Sequence, residues 1–297
     1  MMIKELFDIK KFMFLNKRIE IINLEGGGSD KILLTICILV YNSEIYIERC
    51  LSSILNQKSQ NFELILIDDD SKDNSLDKAV SLVNSKSNLP KGGVKIFKSY
   101  SNQGICSNAS YCLNKAKGAI FKLLGADDAL GENYVYDIEN NYINQGIYIT
   151  KNKYFQNKKI IEIEKRNQRI QQFLLLKKID QIKILCHENP INASSIAVST
   201  SLLKKINAYK YFPVRNIEDW ETWVRLWKTN FNLIILNKSC IFYEVSNTNS
   251  LDSSRNFKMV FDITFARIRV IILNLDSPRL VFKSFKNIIR SFYHLSK

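Results

Sequence analysis

The stretch Leu123-Leu124-Gly125-Ala126-Asp127-Asp128-Ala129-Leu130 ends an apolar run on two adjacent carboxylates. Ala119 to Leu124 reads as a strand, so Asp127 and Asp128 fall where that strand stops. Similar strands precede it. Lys31 to Val40 is apolar on both faces, as a strand buried beneath helices would be. Phe62 to Ile67 repeats the pattern, and Val94 to Phe97 is a shorter version. Between these strands, Ile47, Cys50, Leu51 and Ile54 recur at helical spacing, as do Leu76, Ala79, Val80 and Val83. Ala109, Cys112, Leu113 and Ala116 form a third such set. Alternating strand and helix predicts an α/β fold, with a mostly parallel central sheet flanked by helices. Ligands of such sheets bind outside the carboxyl ends of the strands. The polar clusters Tyr41-Asn42-Ser43-Glu44, Asp68-Asp69-Asp70 and Asp127-Asp128 all fall at that edge.

Composition narrows the function. With 46% hydrophobic residues, 4 prolines and 10 glycines, the 297-residue chain is globular and has no low-complexity linker. The 43 basic and 29 acidic side chains give a net charge of +14, which favours nucleotide diphosphates, nucleic acid or anionic lipid as partners. Scattered lysines and the lack of a helix-turn-helix, zinc or aromatic RNA signature argue against nucleic acid. No apolar run reaches the roughly 18–20 residues of a membrane span. Residues 1–24 mix charges with apolar side chains, unlike a signal peptide. The expected location is cytoplasmic, with at most peripheral attachment at the inner face of the membrane. Cys37, Cys50, Cys106, Cys112, Cys186 and Cys240 include no C-x-x-C pair, which predicts buried, reduced thiols.

Gly26-Gly27-Gly28 sets apart an N-terminal extension, residues 1–30, from the α/β half, residues 31–130. The second half, residues 131–250, is less regular. Trp220, Trp223, Val224 and Trp227 mark a helix there, and Leu233–Leu236 and Cys240–Tyr243 mark strands. Residues 251–297 form a C-terminal helical extension: one helix begins near Phe257 and another at Pro278. The last helix carries Lys283, Lys286 and Arg290 on one face and Phe285, Ile288, Ile289 and Phe292 on another. Two readings stand for it: a helix packed on the core, or one lying on an anionic membrane surface.

The carboxylates invite chemistry. Mg2+ or Mn2+ bound to a diphosphate prefers one or two carboxylates plus phosphate oxygens, and Asp127 with Asp128 could supply them. A plain turn is the alternative, since aspartate bonds its own backbone there. Asp68 or Asp69 either accepts a hydrogen bond from a pyrimidine N–H or completes a solvated turn. Glu44 either reads a base or favours a helix start. In Asn216-Ile217-Glu218-Asp219-Trp220, Asn216 and Asp219 resemble a capping pair, yet a carboxylate at that place is also poised to accept a proton. The tryptophans read as packing on one helix face, with Trp220 beside Asp219 the exception that could touch a sugar. His187 and His294 have no metal-ligand spacing.

Together these pieces resemble the family 2 glycosyltransferases of GT-A fold, from about Leu33 to Ser250. The resemblance lies in Val40-Tyr41-Asn42-Ser43-Glu44, the run from Asp68 to Ser75, Asn102-Gln103-Gly104-Ile105, Lys117-Gly118, the opening stretch, and Glu218 to Trp223. It implies an inverting transferase that moves a sugar from a nucleotide-sugar donor, usually UDP-linked, to a hydroxyl, with Mn2+ or Mg2+ as cofactor. A glycan or lipid-linked glycan acceptor in bacterial surface polysaccharide synthesis fits that family. By position, Val40, Tyr41 and Glu44 would line the base and ribose pocket, and Asp68 or Asp69 would contact the uracil. Asn102, Gly104, Ala126, Glu218 and Trp220 would border the substrates, and residues His187 to Ser195 would face the acceptor. Asp127, with Asp128 beside it, would bind the metal, and Asp219 would be the general base.

Several positions depart from the family's pattern. Gly125 stands where the Asp-x-Asp element usually begins with aspartate, which leaves the metal to Asp127 and Asp128. Asp70 stands where glycine is common after the paired aspartates. Ala109 stands where many members carry arginine, with Asn108 the nearest polar substitute. Tyr243-Glu244-Val245-Ser246 replaces a Tyr-Arg-x-His-like ending. Two other functions remain open: a nucleotidyltransferase, whose Gly-rich phosphate loop is missing after the first strand, and a nucleotide-sugar-binding protein with little turnover, suggested by Gly125.

Overall fold

The computed structural model describes residues 18–28, 31–156, 159–161, 164–210, 213–245 and 257–274. Four parallel strands form its centre, in the order β4 (Val94–Ser99), β3 (Phe62–Asp68), β2 (Leu34–Val40) and β5 (Ile120–Gly125). Helices α1 (Ile47–Leu55), α2 (Ser75–Asn84) and α3 (Ile105–Lys115) make the connections. Alternate side chains of each strand enter opposite cores: Cys37, Ile65 and Phe121 lie on one face, Ile36, Leu64 and Ile120 on the other. Burial on both faces is why these segments read as unbroken apolar runs.

The sheet continues beyond β5 as a mixed one. Strand β9 (Ile196–Ser199) joins β5 to β7 (Gly146–Gln156) by antiparallel pairing on both sides. Strand β10 (Asn232–Glu244) runs parallel to β7, and the short β6 (Ala129–Leu130) pairs antiparallel with its far edge. The two strands expected at 233–236 and 240–243 are one strand, with a register shift between Leu236 and Cys240. Short β8 (Lys159–Ile161) hangs on β7. Helices α4 (Tyr134–Asn140), α5 (Glu164–Leu174), α6 (Lys178–Leu185), α7 (Thr200–Lys205), α8 (Asp219–Trp227) and α9 (Phe257–Ile272), with a 3-10 turn at Ala193–Ser195, complete the described elements.

Within the segment expected as a separate extension, β1 (Arg18–Leu24) pairs antiparallel with β4 at the sheet edge. The thiol expectation needs correction: Cys37 on β2 and Cys112 on α3 form a disulfide, while Cys50, Cys106, Cys186 and Cys240 are free. Strand and helix pack with their Cα atoms 6.3 Å apart, within the span a disulfide bridges. The C-terminal helix expected from Pro278, with its Lys283, Lys286 and Arg290 face, lies outside the described residues, as does His294. Among the described residues no helix is long and apolar enough to cross a membrane.

Candidate active site

The turns after β2 and β3 brace one another. Asn42 Oδ1 accepts the Lys72 N–H at 2.9 Å, and Asn42 N–H donates to Ser71 Oγ at 3.0 Å. Asp70 stands at φ 65, the left-handed geometry that glycine commonly supplies and aspartate tolerates. This framework, with the end of β5, the loop before β9 and the start of α8, surrounds a cavity of about 670 Å3.

Val40, Tyr41, Asp69, Ala126, Asp127, Asp128, Glu218, Asp219 and Trp220 all line that cavity. The remaining expected residues are engaged elsewhere. Glu44 bonds Asn74 Nδ2 at 3.0 Å and Lys78 Nζ at 3.4 Å, which ties it to the start of α2. Asp68 is fully buried and accepts the Ser71 N–H at 3.1 Å. Asn102 receives Arg215 Nη2 on both its carbonyl oxygen, at 2.6 Å, and Oδ1, at 3.1 Å. Gly104 gives its N–H to Asp69 Oδ2 at 2.9 Å and adopts φ 82 at the head of α3. Of the two candidate base-contacting aspartates, Asp69 faces the cavity and Asp68 shapes the turn beneath it.

At α8, Trp223 and Trp227 anchor the helix in the core, while Trp220 borders the cavity and donates through Nε1 to Leu185 O at 2.7 Å. Asn216 does not cap this helix. Its Nδ2 turns to Asp262 on α9 at 2.8 Å, because that carboxylate also takes the backbone N–H of Arg215 and of Asn216. Asp219 Oδ2 accepts from Asn189 Nδ2 at 2.7 Å. Burial pushes Asp219 up to about 6 against the pull of these hydrogen bonds, and burial plus the charge of Asp219 pushes Glu218 up to about 8. Asp219 therefore titrates close to neutrality, where a general base works best.

In the turn after β5, burial and then Glu244 raise Asp127, while burial and then Asp127 raise Asp128. Arg49 on α1 answers this crowding. Its Nη1 bonds Glu244 Oε2 at 2.7 Å, and its Nη2 bonds the Asp127 carbonyl. Asp128 Oδ1 accepts the Glu244 N–H at 3.1 Å. Behind them Lys122 is fully buried, held by the Ser194 carbonyl, and burial lowers it to about 7. Arg49 on α1 and Lys122 on β5 were marked by no motif, and Glu244 was marked only within the Tyr243–Ser246 segment that departs from the family's ending.

A Cβ on Gly125 would sit 2.5 Å from Asp127 Oδ1, so the Asp127 carboxylate leans into the room this glycine leaves. Among the described residues no three His, Cys, Asp or Glu side chains form a metal cage. A hard cation that draws its other ligands from a diphosphate and water needs only one or two carboxylates. Asp127, with surplus negative charge around it, fits that lesser role; Asp128, tied to Glu244, stands behind it.

A helix-flanked mixed sheet, with carboxylates just after β5 and at the start of α8 around one cavity, defines the GT-A class of glycosyltransferase folds. Residues 35–206 match the model of Glycosyl transferase family 2, more than half the chain, and the protein belongs to that family. The chain is 27% identical over 229 residues to the Escherichia coli UDP-Glc:alpha-D-GlcNAc-diphosphoundecaprenol beta-1,3-glucosyltransferase WfgD, covering 77% of this chain and 83% of that one. It spans only 29% and 47% of two other relatives, an uncharacterized protein of Mycobacterium tuberculosis and an uncharacterized glycosyltransferase of Haemophilus influenzae. Among solved structures, Staphylococcus aureus TarS 1-349 with UDP-GlcNAc superposes at TM-score 0.58 and 18% identity, covering 79% of this chain and 66% of that one. The mannosyltransferase PcManGT of Pyrobaculum calidifontis, solved with GDP-Man and Mn2+, gives TM-score 0.57 at 13% identity, covering 98% and 76%.

Proposed function

We propose that the protein transfers a sugar from a nucleotide-sugar donor, a UDP-sugar, to a hydroxyl of a glycan or lipid-linked glycan, with inversion, in bacterial surface glycan synthesis. One observation carries the reading: Asp127 and Asp219, far apart in the chain, line the same cavity together with Tyr41 and Asp69. In this scheme Tyr41 and Asp69 hold the nucleoside, and Trp220 borders the sugar. Asp127 and the donor phosphates would hold Mn2+ or Mg2+, which stabilises charge on the departing diphosphate. Asp219 takes the proton from the acceptor hydroxyl as its oxygen attacks the anomeric carbon, and Asn189 holds the carboxylate for that step. The loop Asn189–Ser194 forms the acceptor side. WfgD's name, with its diphosphoundecaprenol acceptor and UDP-Glc donor, supports the lipid-linked acceptor.

UDP release is to be followed across UDP-sugars, with Mn2+ and a panel of glycan acceptors. The Asp219→Asn variant should lose about 10²–10⁴-fold in turnover while keeping its affinity for UDP. Equal turnover by this variant would overturn the role of Asp219. Gly125 favours a second reading, a binding protein with little turnover, and UDP binding by the wild type without release of UDP from any donor would select it.

A further inference from the structure

We infer that Asn108, locked in place by Arg18, recognises the nucleotide base as a hydrogen-bond donor, and that the site therefore selects a base with a ring carbonyl beside an N–H, as in uracil. This rests on the nucleotide-sugar reading above and deepens it.

Arg18 opens β1 and reaches across β4 to α3. Its Nε and Nη2 both donate to Asn108 Oδ1, at 3.1 and 2.6 Å, and Ser99 Oγ donates to the same oxygen at 3.4 Å. A guanidinium has donors only, so it can face the oxygen of a carboxamide and never its NH2. The amide orientation of Asn108 is fixed by that asymmetry. The guanidinium itself is held, since it lies 4.5 Å over the Tyr111 ring and bonds Ser107 Oγ at 3.0 Å. With Oδ1 committed, the group that Asn108 offers to the cavity it lines is the Nδ2 donor.

Asp69 is the neighbouring cavity residue. Gly104 links the two: its N–H goes to Asp69 Oδ2 at 2.9 Å, and its carbonyl takes the Asn108 N–H at 3.2 Å. A carboxylate acceptor near a carboxamide donor complements a lactam edge, in which an N–H lies beside C=O. Uracil and guanine carry such an edge. Cytosine presents a bare ring nitrogen in place of the N–H, which would face the Asp69 carboxylate lone pairs. The N-terminal strand thus sets base specificity through a residue it positions.

Titration calorimetry with UDP, GDP and CDP, without sugar, tests this on the full chain. The wild type should bind a lactam-bearing nucleotide at least about tenfold more tightly than CDP, and the UDP and GDP arms identify which. Asn108→Asp, of the same shape but lacking the donor, should lose about tenfold for that nucleotide, with affinity for inorganic pyrophosphate unchanged. Arg18→Met keeps an apolar stem over Tyr111 but frees the amide to turn, and should erode the discrimination against CDP. If Asn108→Asp melts too low to titrate, Asn108→Ala gives the same comparison without the added charge. Unchanged UDP-to-CDP preference in the Asn108 variants would overturn the inference while leaving the donor reading intact. Failure of the wild type to bind any nucleoside diphosphate would overturn both.

Discussion

Asn189 Nδ2 donates to Asp219 Oδ2 at 2.7 Å, and Asn189 Oδ1 in turn accepts the Ile191 N–H at 3.2 Å. The loop that follows α6 therefore fixes the orientation of the carboxylate in the first turn of α8. This bond favours the charged form of Asp219, which burial opposes. Removing it should move the acidic limb of the pH–rate profile from about 6 to higher pH. Asn189→Leu is expected to show that alkaline shift in kcat, with the KM for donor nearly unchanged. A profile superimposable on the wild type would show that Asn189 is only a loop brace.

Glu218 gives stability a pH slope. Its carboxyl is raised to about 8 in the folded state from an ordinary value of 4.5. The folded chain therefore holds this proton more tightly than the unfolded chain, and stability falls as pH rises from about 4.5 to about 8. Buried Lys122, lowered to about 7, acts with the opposite sign from about 7 upward. Between pH 5 and pH 7, the Glu218→Gln variant should show a flatter dependence of Tm on pH than the wild type. Parallel melting curves across that window would contradict it.

Arg49 ties the Asp127 turn to the end of β10. Charge-assisted hydrogen bonds of this kind contribute about 1.5–3 kcal/mol each, less where water reaches them. Arg49→Met should leave the nucleoside end of the cavity intact yet loosen Asp127, so that the Mn2+ concentration giving half-maximal rate rises about tenfold. Arg49→Lys should rescue only in part, because one ammonium cannot reproduce the two-pronged contact.

Gly104 combines φ 82 with a Cβ position 3.0 Å from both Arg215 Cβ and Arg215 O. Gly104→Ala is expected to cost about 1–3 kcal/mol of stability through backbone strain. The check is a denaturant melt with unchanged m-value. Because Gly104 also donates to Asp69, weaker UDP binding should accompany the loss.

The βα order, the strand ends and the α8 helix were legible in the chain, because each is written in side-chain periodicity over a few consecutive residues. Asp127, Tyr41 and Asp69 were legible as candidates because each follows the end of an apolar strand, and Asp219 because it is one of two adjacent carboxylates at a helix start. Glu44 and Asp68 carry an identical signal, yet one bonds the Asn74 side chain before α2 and the other accepts the Ser71 N–H in its own turn. Whether a strand-end carboxylate faces a ligand or its own turn depends on where the next residue of the backbone bends, and no local pattern records that.

The tertiary structure alone decided the pairings across the sheet. It set β9 antiparallel between β5 and β7, brought Cys37 to Cys112, and put Arg18 behind Asn108 and Arg49 behind Asp127. Each of these contacts joins residues distant in sequence, so it depends on strand order and register rather than on propensity. The sequence by itself determined which segments become strands and helices and which edge carries the carboxylates. Packing those segments into one sheet determined which carboxylates share a cavity, because only the closed fold removes water from them and sets their partners.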